Sequence, residues 1–342
     1  MSENADLNIV SNIEPLGFNW PTVNPFLFCV HHKDDYPAGN EQLGPDAPLA
    51  GRDIGQDFTV KDGWRMYHGQ RVPGFPVHPH RGFETVTIVL NGFVDHSDSL
   101  GAAGRYGNGD VQWMTAGAGI QHAEMFPLIH QDKPNPLELF QIWLNLPRKK
   151  KFAAPHYAML WAEQIPIRRE KDAQGRPIEI RVIAGAIQDT VPPGPTPDSW
   201  ANDPANEVAI WLIKMGANAR WTLPAASAGI NRTLYFYNGD TIQAAGTMIK
   251  NYHSADLASG HPVPLKNGDH EAHLLLLQGK PINEPVARHG PFVMNTQEEI
   301  RQAYDDYQKT RFGGWPWSQP DPVHGSEQGR FSQYTDGKRE DR

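Results

Sequence analysis

The chain has 342 residues, of which 39% are hydrophobic and 20% charged, with a formal net charge of −8. At roughly 100–200 residues per domain, this length suggests two domains, each able to bury its own core. The acidic balance excludes the basic footprint of a direct nucleic-acid binder, and the lone run Arg148-Lys149-Lys150-Lys151 reads as a solvated loop. No apolar run approaches the ~20 residues that cross a bilayer, so no membrane association is expected. The N-terminus lacks a basic region followed by an apolar one, so no signal peptide is expected. Cys29 has no partner for an intrachain disulfide, and the expected location is cytoplasmic.

Residues 1–16 are polar and read as loose, and residues 1–24 as an N-terminal extension. Residues 25–30 read as a strand, and residues 31–63, rich in Gly, Asp and Pro, as loop. Residues 85–90 form a β-branched strand ended by Asn91-Gly92, a favoured two-residue hairpin turn. Asn108-Gly109-Asp110 marks another turn before a strand over 111–114. Residues 137–146 make a longer apolar strand closed by Pro147. Short strands with turn signals between them predict an all-β sandwich or barrel. The Pro-rich stretch 189–206 reads as a long surface loop. A second strand series follows at 208–214, 220–223, 233–237 and 274–277. Asn238-Gly239 after its third member echoes Asn91-Gly92 and hints at internal duplication. Thr296-Gln297-Glu298-Glu299 is a capping box opening a helix whose face carries Ile300, Tyr304 and Tyr307. Residues 318–342 are polar and Gly-rich and are expected to be a disordered tail.

Two short segments carry the chemistry. In His78-Pro79-His80 the alternation of an extended chain puts both imidazoles on one face, and Pro79 forces the backbone before it to stay extended. His122 and Glu124 repeat this two-residue spacing after the Gly-rich stretch 116–119, which permits a sharp bend. If the segments converge, three imidazoles and one carboxylate surround a point. Such donors suit Fe(II), Mn, Co, Ni, Cu or Zn rather than Ca or Mg. Glu84 shares the even parity of His78 and His80. It is therefore an alternative fourth ligand, a carboxylate holding a ligand ring, or a catalytic base alongside Glu124; the repeated spacing favours Glu124 as ligand. The remaining histidines are scattered and read as surface or hydrogen-bonded residues.

The stretch from His78 to Thr87, the stretch from Gly109 to Gly117 with His122-Ala123-Glu124-Met125, and the C-terminal Pro291-Phe292-Val293-Met294-Asn295-Thr296 and Phe312-Gly313-Gly314-Trp315 resemble the signatures of the pirin family within the cupin superfamily. The resemblance runs from about residue 25 to residue 317. It implies two tandem jelly-roll β-barrels with a short C-terminal helix: residues 25–163 carrying the metal site and residues 164–317 without metal. It also implies three His plus one Glu as ligands, iron as the metal, and, for several members, quercetin 2,3-dioxygenase activity on a flavonol-like aromatic substrate with O2. Other members are described as transcriptional cofactors or enzyme-binding regulators. A metal-dependent, redox-sensing protein-binding module is therefore the alternative reading. The segment 34–69 and the residues after 317 depart from the family pattern.

Overall fold

A computed structural model describes residues 8–342. Among these residues strands dominate, with one α-helix, Gln297–Thr310, as the β-branched, turn-punctuated sequence predicts. The chain divides into two compact units. One comprises Val30–Ala162 and Glu284–Arg342; the other comprises the described residues up to Cys29 with Glu163–Asn283.

The first unit is a two-sheet sandwich. One sheet runs in the order Arg339–Asp341, Phe331–Gln333, Ala103–Gly107, Phe93–Asp98, Ile120–Met125, Gly74–His80. The facing sheet contains, in order, His156–Leu160, Val111–Thr115, Phe83–Asn91, Asn135–Asn145 and Phe26–Tyr36. Tyr36, Val89, Val94, Phe126, Leu139 and Trp161 fill one end of the space between them. Asn91-Gly92 is a turn, but not a hairpin. The strands on either side of it belong to different sheets, so this Asn-Gly is a corner that carries the chain across the sandwich. Asn108-Gly109 does the same between Ala103–Gly107 and Val111–Thr115.

The second unit repeats the plan. A seven-stranded sheet, Val10–Pro15, His253–Leu257, Asn231–Asn238, Ala272–Gly279, Ala209–Met215, Pro177–Ala184, Ile167–Lys171, faces a four-stranded one built from Arg220–Leu223, Val263–Asn267, Thr241–Ala244 and Thr247–Lys250. Asn238-Gly239 again joins strands of different sheets. The space between is packed with Ile180, Val182, Ile213, Leu234, Phe236, Leu274 and Leu276, all buried.

Several local expectations change. Residues 10–15, expected to be loose, form a strand antiparallel to His253–Leu257. The strand beginning at Phe26 continues to Tyr36, well past the expected end at residue 30. The capping box is formed: the Thr296 side chain accepts the Glu299 amide, and the Glu299 carboxylate accepts the Thr296 amide. Residues 284–317 group with Val30–Ala162, and not with the second strand series beside which they were expected.

The expected disordered tail is ordered. Phe331–Gln333 pairs antiparallel with Ala103–Gly107 and with Arg339–Asp341. Arg105, fully buried, anchors the segment before it. Its guanidinium donates twice to Asp95, at 2.7 Å each, and also to the carbonyls of His324, Gly325 and Gln328. A polar, Gly-rich composition suggests disorder only when no partner satisfies the backbone; here a buried charge pair supplies one. Among the described residues no helix is long and apolar enough to cross a membrane.

Candidate metal centre

Gly74–His80 and Ile120–Met125 are antiparallel neighbours, with His78 opposite His122 and His80 opposite Ile120. Two glycines aim the second strand: Gly117 at φ +47° and Gly119 at φ +132° take backbone conformations that larger residues resist. Cross-strand partners share a face, so this register brings the imidazoles together. The ligand-type atoms of His78, His80 and His122 all lie within 4.8 Å of one another. A bulge separates the pairs Phe75–Glu124 and His78–His122. The extra residue shifts the parity of the strand, so that Phe75, His78 and His80 all face the same side.

The ring nitrogens are prepared for ligation. His78 Nδ1 lies 2.9 Å from the carbonyl of Pro76, and His80 Nδ1 lies 3.4 Å from that of Pro291. A carbonyl only accepts, so each Nδ1 carries the proton and each Nε2 keeps its lone pair. His80 Nε2 and both ring nitrogens of His122 are buried without a hydrogen bond. Burial lowers the His78 pKa to about 4 and holds those of His80 and His122 well below the usual histidine range, with neighbouring imidazoles adding to the effect. All three are therefore neutral near pH 7. Neutral imidazoles with free lone pairs facing one another are costly without a partner and well suited to a transition-metal ion.

Glu124 adjoins this group, its Oε2 3.7 Å from His122 Nε2. Thr87 Oγ1 donates to Glu124 Oε1 at 3.1 Å, and Gln141 Nε2 donates to Oε2 at 2.6 Å. Burial raises the carboxyl pKa; the charge of His96 and the hydrogen bonds of Gln141 and Thr87 pull the other way.

Glu84 is elsewhere. Between the strands Gly74–His80 and Phe83–Asn91 lies Gly82, which sits at φ +86° with the Val293 carbonyl 2.0 Å from where a Cβ would be. This turn resets the parity on which the grouping of Glu84 with His78 and His80 depended. In Phe83–Asn91 it is the odd residues that face the site: Phe83 lies 5.0 Å from the His80 ring, and Thr87 reaches Glu124. Glu84 points to the other face, where Trp113 Nε1 and Thr115 Oγ1 donate to it. It is neither beside the imidazoles nor placed to serve as their base. Trp113 shares that outer face, whereas Met114 and Phe83 face inward.

The sequence reading missed His96. It lies opposite Glu124 in the register, is fully buried, stacks on Tyr157 at 4.9 Å and stands 5.6 Å from the His122 ring. Gln112, opposite Thr87 on the inward face, is a second missed residue, with both amide atoms buried and unpartnered. The period-2 alternation of their strands could have flagged both, but only once the pairing register was known.

Residues 49–144 match the family model "Pirin", and residues 210–313 match "Pirin C-terminal cupin domain". The Mus musculus protein Pirin is 38% identical over 253 residues, covering 72% of this chain and 80% of that one. This chain belongs to the pirin family. A Pseudomonas aeruginosa protein that carries the provisional name quercetin 2,3-dioxygenase is 37% identical over 243 residues, 71% of this chain and 80% of the relative. The crystal structure of a quercetin 2,3-dioxygenase from Acinetobacter baumannii superposes with a TM-score of 0.71 at 26% identity, covering 89% of this chain and 98% of that one. The two cupin units with a C-terminal helix are thus the pirin architecture, and quercetin 2,3-dioxygenases are among its relatives.

Proposed function

We propose that this pirin-family protein is a metal-dependent dioxygenase of the quercetin 2,3-dioxygenase type, acting on a flavonol with O2. The observation that carries the reading is the convergence of three neutral imidazoles beside a buried carboxylate. His78, His80, His122 and Glu124 would hold one divalent ion, Fe(II) first, with Mn, Co, Ni, Cu or Zn as alternatives. When bound, such an ion supplies Lewis acidity toward a substrate hydroxyl and an electronic route to O2.

The protein's own groups do the remaining work. The carbonyls of Pro76 and Pro291 hold His78 and His80 in the tautomer that leaves Nε2 free. Gln141 and Thr87 fix the rotamer of Glu124. Glu124 faces the imidazoles and is made more basic by burial, which suits it to accept the proton of a substrate hydroxyl. Phe83, Met114 and Trp143 wall the inward face and exclude water; Trp143 lies 5.4 Å from the His80 ring and 4.3 Å from Phe83. Glu84 has no role in this scheme.

The test is O2 consumption with quercetin after reconstitution with each first-row metal in turn. One O2 taken up per quercetin lost is the expected result. Absence of uptake with every metal would remove the dioxygenase reading and leave a metal-binding regulatory module.

A further inference from the structure

The segment between Tyr36 and Gly74 is irregular but firmly held. Arg52 donates to Asp57 and to the carbonyls of Lys61 and Trp64, and its guanidinium lies 3.3 Å over the Trp64 ring. Arg65 donates to both oxygens of Asp34, and Tyr67 donates to Asp34 Oδ2 at 2.6 Å. These contacts press Tyr67 and His68 against the start of Gly74–His80, where the His68 amide donates to the Gly74 carbonyl at 3.1 Å.

Four rings follow one another from this segment toward the candidate metal centre. Phe58 lies 4.9 Å from His68, His68 lies 5.6 Å from Phe75, and Phe75 lies 6.4 Å from His78, each pair edge-to-face. All four residues are partly exposed, whereas Tyr67 and Phe126 beneath Phe75 are buried. The bulge described above is what turns Phe75 to the ligand face. The tautomer of His68 is also set. Its Nδ1 lies 2.8 Å from the Gly55 carbonyl, which only accepts, so in the neutral ring Nδ1 carries the proton and Nε2 is the acceptor. No other hydrogen bond is made by this ring among the described residues.

We propose that Phe58, His68 and Phe75 form an entrance subsite that grips the distal ring of a flat, hydroxylated aromatic substrate, with His68 Nε2 accepting a hydrogen bond from a ring hydroxyl. The identity of the substrate rests on the dioxygenase reading; the subsite itself rests on ring geometry and on the tautomer. Edge-to-face rings present a flat ligand with both faces and edges to pack against. A fixed acceptor one ring away from His78 discriminates hydroxylated from unhydroxylated distal rings, because a neutral acceptor gains from a donor and gains nothing from a C–H.

The experiment compares wild type with His68→Phe, which keeps the ring and removes the acceptor, and Phe58→Leu, which keeps apolar bulk. The metal-loaded protein is titrated calorimetrically without O2 against quercetin and against a flavonol lacking distal-ring hydroxyls, and turnover is then measured with O2. For His68→Phe, Kd and KM for quercetin should rise roughly 5- to 10-fold, while Kd for the unhydroxylated flavonol stays within about twofold. Phe58→Leu should weaken both ligands by a similar, smaller factor, with metal content equal in all three proteins. Equal quercetin Kd for wild type and His68→Phe overturns the subsite, whatever the turnover. Wild type that binds quercetin but never consumes O2 overturns the dioxygenase reading, and the Kd comparison still decides the subsite. Wild type that binds neither flavonol overturns the subsite outright.

Discussion

The two units use one plan for different ends. Each is a two-sheet sandwich with Asn-Gly corners passing the chain from sheet to sheet. In the unit containing Glu163–Asn283 the space between the sheets is filled by Ile, Val, Leu and Phe. In the unit containing Val30–Ala162 the inward positions near the Gly82 turn are His80, His122, Glu124, Thr87, Gln112 and Gln141. Inward positions are equivalent as geometry, and side-chain chemistry alone makes one interior a core and the other a donor set. A sandwich can carry such a polar interior only because other apolar clusters in the same unit supply the burial.

Exchanging the two kinds of position sharpens the contrast. The largest effect is expected for His122→Ala. Metal stoichiometry should fall from about one to near zero by elemental analysis, because an imidazole at the centre of the group is lost. The apo protein should unfold within about 1–2 kcal/mol of the wild-type apo form, since the ring makes no hydrogen bond there. Unfolding of that variant at room temperature would mean that the ring is part of a structural core, and the contrast between the units would fail. Next comes Leu276→Ala in the apolar interior. It should cost about 2–5 kcal/mol in urea denaturation of that unit and leave metal content unchanged.

The smallest effect concerns pH. His32 is buried, donates through Nδ1 to the Tyr67 hydroxyl at 2.7 Å, and has its pKa lowered to about 3, first by burial and then by the charges of Arg65 and His31. The unfolded chain therefore binds this proton near pH 6.5, whereas the folded chain resists it until about pH 3. Stability contributed by neutral His32 is complete above 6.5 and is lost as the pH falls toward 3, by an amount on the order of a few kcal/mol. The urea midpoint should drop across that window, and His32→Gln should flatten the slope. A slope that is the same in both proteins would assign the acid sensitivity to other groups.

Part of this was legible in the chain, because part of it is local geometry. The spacings His78-x-His80 and His122-x-Glu124 mark one face each, because alternation in an extended strand is local geometry. The helix cap at Thr296 and the turns at Asn91, Asn108 and Asn238 are local too. Glu84 was misplaced by the same rule of alternation. Gly82 interrupts the strand, and a left-handed residue there depends on the Val293 carbonyl, more than two hundred positions away in sequence. His96 escaped notice because its value lies in a register opposite Glu124 that nothing in its own neighbours announces. The tail looked unstructured because Arg105, which orders it, is remote in sequence.

By itself, then, the amino-acid order determined what local physics can encode: strand periodicity, turn positions, the helix start, and which histidines share a face. The tertiary structure alone decided which faces meet, whether a corner stays in its sheet, which carboxylate reaches the imidazoles, and that the rings of Phe58, His68 and Phe75 follow one another to His78. Those outcomes depend on strand register and on a β-bulge. Both arise from contacts between distant segments, whose free energy exists only once the chain has closed on itself.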